Sequence, residues 1–275
     1  MVGVPAIRHR RQPALRAVQI TVVALAAGGV AHAADDSAMD GNPQTPEYHL
    51  AAGPGIYSYP LYPGARGARN FLFPFIDAEY ANRFYTSASD LLGVYGYKTD
   101  ATQVGAALEY DPTQRKVAGD PHLAGLPDVR QTSRLKLFGS HTLGFVTGDM
   151  NVARDVEGRK QGTLGQANLW LTAPFDQTFS VSIGPGMTWA DSRYMQTFYT
   201  VPAAAESVSG LPAFASHAGI VDAHWNGLAE WQLFGKYRLG ASASYAHLQG
   251  DAANSPITLR HEQATLTGWL AYRFN

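Results

Sequence analysis

The sequence predicts an all-β protein, a transmembrane antiparallel up-and-down β-barrel of about 12 strands, with about 10 as the alternative count. Three observations carry that prediction. An N-terminal export signal is followed by no apolar stretch long enough to span a bilayer as a helix. Apolar and polar side chains then alternate through one segment after another of residues 48–275. The connections between these segments alternate between short and long.

The export signal occupies residues 1–33. Arg8, Arg10, Arg11 and Arg16 make its positive region, an apolar run begins at Ala17, and Ala31-His32-Ala33 supplies a small–x–small cleavage pattern. The apolar run contains Gln19, Gly28 and Gly29 and is shorter than the roughly 20 residues of a spanning helix, so cleavage near Ala33 is expected rather than anchoring. Residues 34–47 are polar and contain Pro43 and Pro46, which predicts a flexible periplasmic lead-in. Residues 48–275 are then the outer-membrane barrel.

Alternation defines the strand faces. Val104, Ala106, Leu108 and Tyr110 alternate with Gln103, Gly105, Ala107 and Glu109. Phe179, Val181, Ile183, Met187 and Trp189 alternate with Ser180, Ser182, Gly184, Gly186 and Thr188. Trp225, Ala229, Trp231 and Leu233 alternate with Asn226, Glu230 and Gln232. In the strand expected to close the barrel, Leu266, Leu270, Tyr272 and Phe274 face one way, and Thr265, Thr267, Trp269 and Arg273 the other. A soluble β-sandwich would alternate too. The small residues on the polar faces suit a narrow lumen, and aromatics near strand ends (Tyr110, Trp170, Trp189, Tyr245, Tyr272, Phe274) suit interfacial girdles.

Short connections are expected near 80–83, 98–101, 139–142, 173–178 and 234–236, and long ones near 57–69, 111–129, 154–162, 191–216 and 250–260. Short periplasmic turns with long external loops orient the barrel, and a chain that enters and leaves on the periplasmic side needs an even strand count. A tight hairpin around 87–90 completes the twelve.

Composition excludes several functions. A net charge of −1 gives nucleic-acid binding no electrostatic support, and the absence of Cys rules out disulfides and thiolate metal sites. His49, His122, His141, His217, His224, His247 and His261 are scattered without ligand spacing, so neither a metal nor another cofactor is expected. Ser133 and Lys136 match a Ser-x-x-Lys motif, but residues three apart on a strand face opposite sides. Ser140-His141 falls at an expected turn with nothing to mark it as catalytic, so the chain reads as a non-enzyme. Glu109, Arg134, Lys136, Glu230, Arg238 and Arg273 fall on lumen faces, either as a solute-selecting constriction or as an ion-pair network filling a small barrel. In the 191–216 loop, Tyr194, Met195, Phe198 and Tyr199, with Leu211 beyond them, form an external plug or docking surface, as a short helix in the barrel mouth or as an ordered loop on its rim.

The stretch Trp189-Ala-Asp-Ser-Arg-Tyr-Met-Gln-Thr-Phe-Tyr-Thr-Val resembles the signature of the MipA/OmpV (MltA-interacting protein) family. So do Ser209-Gly-Leu-Pro-Ala-Phe, Leu248-Gln-Gly-Asp-Ala-Ala-Asn-Ser-Pro-Ile, Gly55-Ile-Tyr-Ser-Tyr-Pro-Leu-Tyr-Pro-Gly and the closing Gly268-Trp-Leu-Ala-Tyr-Arg-Phe, which together span nearly all of 50–275. The resemblance implies location in the outer membrane of a Gram-negative envelope, in contact with its lipid. It also implies a scaffolding role between murein synthesis and lytic enzymes, with a small-solute pore or a surface adhesin as alternatives. It carries over no catalytic residue and leaves the oligomeric state open.

Overall fold

The computed structural model describes residues 48–118 and 120–274. The expected signal peptide and lead-in lie outside them. Twelve antiparallel strands follow one another around a closed barrel, and the last pairs with the first. They are β1 (Tyr48–Pro60), β2 (Ala68–Tyr80), β3 (Phe84–Thr86), β4 (Asp90–Lys98), β5 (Thr102–Asp111) and β6 (Thr132–Leu143), then β7 (Val146–Asp155), β8 (Thr163–Pro174), β9 (Phe179–Ala190), β10 (Gly219–Gln232), β11 (Tyr237–Leu248) and β12 (Glu262–Arg273). The two-residue pleat puts alternate side chains inside and outside. Leu266 and Leu270 are exposed on the outer face of β12, while Thr267 and Trp269 are buried inside. Leu135, Leu137, Ile183 and Leu239 continue the outer belt, where lipid takes the place of a protein core.

Both ends of the barrel chain lie at the short-turn end, where Tyr48 pairs with Tyr80 and the Phe274 amide donates to the Leu50 carbonyl. The opposite end carries the long connections. These contain α1 (Ser192–Tyr199), α2 (Ala203–Ser209), α3 (Gly250–Asn254) and a single 3-10 turn (Pro121–Leu123). The 87–90 hairpin exists and joins β3 to β4, with the Ser87 amide donating to the Asp90 carbonyl.

Three expectations need correction. The turn placed at 139–142 comes later: β6 runs through Ser140 and His141 to Leu143, and the chain reverses at Gly144, whose φ of +61° favours glycine. His141 is therefore a strand residue bound to Thr102 (2.8 Å). The first long loop is shorter than 57–69, because β1 and β2 continue through Tyr57, Tyr59 and Arg69 into the mouth. Trp170 is not a girdle residue. Its place in the β8 alternation turns it inward, where it is 1% exposed.

The wall is uneven at two places. β1 approaches β12 so closely at Gly53 that a Cβ there would lie 1.9 Å from the Leu270 carbonyl oxygen. The β1–β12 ladder skips Gly53 and Pro54. β2 is bonded to β1 from end to end, but to β3 only through Ala78, Glu79 and Tyr80.

Candidate functional site

Buried polar and charged side chains line the lumen. On its β4–β7 side, Lys136 Nζ lies 2.5 Å from Asp90 Oδ1 and 3.5 Å from Glu109 Oε2. Tyr85 donates its hydroxyl to the other Asp90 oxygen (3.0 Å). Arg134 Nε donates to Asp111 Oδ2 (2.7 Å), and its remaining nitrogens reach the Gln161 and Gly162 carbonyls and Gln161 Oε1. Asp90, Arg134 and Lys136 are fully withdrawn from solvent. Charges so buried persist only when paired and hydrogen-bonded. Ser133, by contrast, points to the other face of β6 and bonds Glu157 (2.6 Å), so it and Lys136 form no dyad.

Polar residues from β7, β8 and β10 meet farther round. Asp149 accepts from Asn168 Nδ2 (2.9 Å) and from the Trp170 indole (2.7 Å). His224 bridges Asp222 (2.6 Å) and Asn168 (2.9 Å). Toward the turn end the filling is apolar: Phe75 and Trp269 stack at 5.3 Å beside Ala51, Leu228 and Ala271, and Ala88 of the β3–β4 tip packs against them. Arg238 joins Glu230 (3.0 Å) and Asp77 (3.6 Å), and Lys98 pairs with Glu79. Arg273 is exposed at the turn-end rim.

The loops pack together at the opposite end of the barrel. Asp191 caps α1 by accepting from the Tyr194 amide (2.9 Å). Tyr194, Met195, Phe198 and Tyr199 pack on Val129, Leu164, Ala190, Val221, Leu248 and Ala252. Arg115 fixes the far end of the helix by donating to the Phe198 carbonyl (3.0 Å), and Ser255 donates to the Tyr199 carbonyl (2.6 Å). A second cluster joins Tyr62, Leu123, Val201, Ala205 and Ile257, with Leu211 half-buried against it. Four loops thus share one apolar cap. Burial raises the Tyr194 and Tyr199 hydroxyls above the usual phenol range, pushes Tyr62 up to about 12, and lowers Arg115 to about 10.

The structure therefore brings Glu109, Arg134 and Lys136 together, places Glu230 and Arg238 in a separate pair, and leaves Arg273 apart. Sequence reasoning missed Asp90, Asp111, Gln161, Asp149 and Trp170. Asp111 was one pleat beyond Glu109 on the same face, so extending the alternation by one step would have found it. Gln161 comes from a loop, where no periodicity marks it. Among the described residues, no cluster of His, Asp and Glu is arranged to hold a metal ion.

A closed antiparallel barrel with an apolar outer belt, aromatics at its rims and polar side chains turned into its lumen defines an outer-membrane β-barrel protein. The family model described as MltA-interacting protein MipA matches residues 52–274, and the chain belongs to that family. No curated protein matches it. Among solved structures, an outer membrane channel from Pseudomonas putida F1 is similar at 12% identity and a TM-score of 0.45, over 86% of this chain and 100% of that one. OmpT, an outer membrane protein of Vibrio cholerae, is similar at 8% identity and a TM-score of 0.34, over 82% of this chain and 96% of that one.

Proposed function

We propose that the barrel is a non-enzymatic scaffold that holds murein-processing enzymes at the outer membrane. The observation that carries this reading is the loop cap: four loops pack over the mouth of the barrel through buried apolar clusters. Beneath it, the charges on the β4–β6 side of the lumen are already paired with one another and withdrawn from water, which suits a barrel that anchors rather than conducts. The family's description as MltA-interacting supports a partner of the lytic class. The surface open to such a partner includes Phe145, Phe175 and Phe234, which stand exposed at the periplasmic turns. The test pairs planar-bilayer recording with cross-linked capture from envelopes. The scaffold predicts no stepwise conductance and recovery of a lytic transglycosylase, lost on changing Phe145, Phe175 and Phe234 together to Ser. Stepwise conductance from the unaltered protein, with no enzyme recovered, would establish the pore instead.

A further inference from the structure

The short reach of β3 leaves a gap in the wall. β2 stands nine residues (68–76) above its last bonds to β3, about 30 Å along the strand. Among the described residues, no hydrogen bond joins the backbone of 68–76 to anything except β1. Which groups face the gap follows from two prolines. Pro54 and Pro74 are directly opposed, and neither has an N–H to exchange, so theirs is a non-hydrogen-bonded pair. The backbone groups of Pro74, and by alternation those of Asn70, Leu72 and Ile76, then point away from β1 and into the gap. Pro74 sits where a strand tolerates proline, on an edge with no ladder to supply.

The side chains around this edge are apolar on both faces. Leu72, Pro74 and Ile76 face outward in continuity with the lipid belt of β1 and β12, where Ile56 and Leu266 are exposed. Phe71 and Phe73 face inward, stacked with ring centroids 6.5 Å apart, beside the stacked Tyr57 and Tyr59 of β1. Below them the Phe75–Trp269 stack and Ala88 floor the gap. A bare strand edge in hydrocarbon costs several kcal/mol for each unpaired group, so whatever lies here must bring hydrogen-bonding groups as well as apolar bulk. The gap lies toward the loop end, at the level of the outer leaflet, and the cap closes the approach from above.

We propose that the free edge of β2 and the aromatic wall behind it form a lateral groove that binds an acyl-chain amphiphile of the outer leaflet. The chain lies against Phe71 and Phe73, and amide, ester or hydroxyl groups of the amphiphile pair with the exposed backbone of Asn70, Leu72 and Ile76. The occupant is argued from the unbroken continuity of the groove with the lipid-facing belt. From β8 to β12, by contrast, neighbouring strands are bonded along almost their whole length.

Photocross-linking separates this reading from its rivals. p-Benzoylphenylalanine replaces Phe73 in one variant and Phe71 in a second. In a control it replaces Ser244, a buried lumen residue of β11 bonded to strands on both sides. Heat-modifiable migration checks that each is folded, and either β2 variant suffices. Each is placed in dimyristoylphosphatidylcholine vesicles doped with dansyl-phosphatidylethanolamine and irradiated. The groove predicts fluorescent lipid on the Phe73 or Phe71 variant at several-fold the Ser244 level. Labelling no higher than at Ser244 overturns the proposal. So does a cross-link that joins two copies, or one that maps within the chain, because either shows the edge covered by protein.

Discussion

From β8 to β12, neighbouring strands are bonded along almost their whole length, and their lumen faces carry Ser182, Thr188, Asn226, Ser242, Ser244 and Thr267. From β2 to β5, one strand is three residues long, the β4–β5 register shifts twice, and the lumen face carries Asp90, Glu109, Tyr85 and Tyr95 with Lys136 reaching across from β6. Each side is held shut by a different means. Where ladders are complete, backbone bonds close the wall and small polar side chains suffice inside. Where they are interrupted, charged side chains in the lumen tie together strands that backbone bonds hold only in part.

Breaking a tie should therefore do the most damage. Lys136→Met leaves Asp90 and Glu109 buried without their cation and should cost about 3–5 kcal/mol in urea unfolding from lipid vesicles. Ser182→Ala on the complete side should cost about 1 kcal/mol. Adding Asp90→Asn to Lys136→Met should restore part of the loss. Equal costs on the two sides would dissolve the contrast.

A charge on the outer face sharpens it. Leu266→Arg should cost roughly 2–4 kcal/mol in the same assay if its depth is near the bilayer midplane. Leu72→Arg lies at a similar height, since Leu72 pairs with Ile56 and Ile56 with Gly268. It borders the gap, where its guanidinium can meet bare carbonyls, and should cost measurably less. A Leu72→Arg penalty as large as that of Leu266→Arg would mean that the gap is sealed.

The cap should yield without the wall. Tyr194→Ala with Phe198→Ala removes two rings whose centroids lie 4.7 Å apart in the apolar cluster. Trypsin should then cut at the exposed Arg193, while the urea midpoint of the barrel barely moves. Loss of the barrel itself would show that cap and wall fold as one unit.

The smallest effect concerns acid. The His217 amide, and then its ring, donate to Asp251 and hold that carboxyl below its usual range. A lowered carboxylate stabilises the folded loop fully above the unfolded value of about 3.9 and loses that contribution as pH falls through the folded value. The His217 amide should be protected near pH 5, measured against its intrinsic exchange rate at the same pH, and that protection should fall at lower pH. Asp251→Ala should remove the dependence.

Most of the wall was legible because one rule, alternation, repeats over eleven long strands. Ser182, Thr267 and Leu266 face as their neighbours require. The failures came where residue type was weighed above the pleat, or where something other than the pleat decides. Trp170 looks interfacial by residue type, but the β8 alternation turns it inward, and its indole donates to Asp149 on the neighbouring strand β7. The β6–β7 turn followed the only positive-φ glycine available to it, Gly144, rather than the polar run before it. Of the candidate site, Glu109, Arg134 and Lys136 were readable as inward charges. Their partners Asp90 and Gln161 were not, because a hairpin tip and a loop supply them.

The uneven ladders bear on how the closed wall gives way. β1 is sewn to β2 along its full length, yet its seam with β12 lacks bonds at Gly53 and Pro54. A hoop parts at its thinnest stitch, and that stitch is β3, held by three pairs to β2 and two to β4 rather than by the six of the β1–β12 join. Under load the wall should open at β3 first, and the β1–β2 pair should leave the membrane last and together. In assembly the order reverses, so the shortest strand is the last to set and the first to let go.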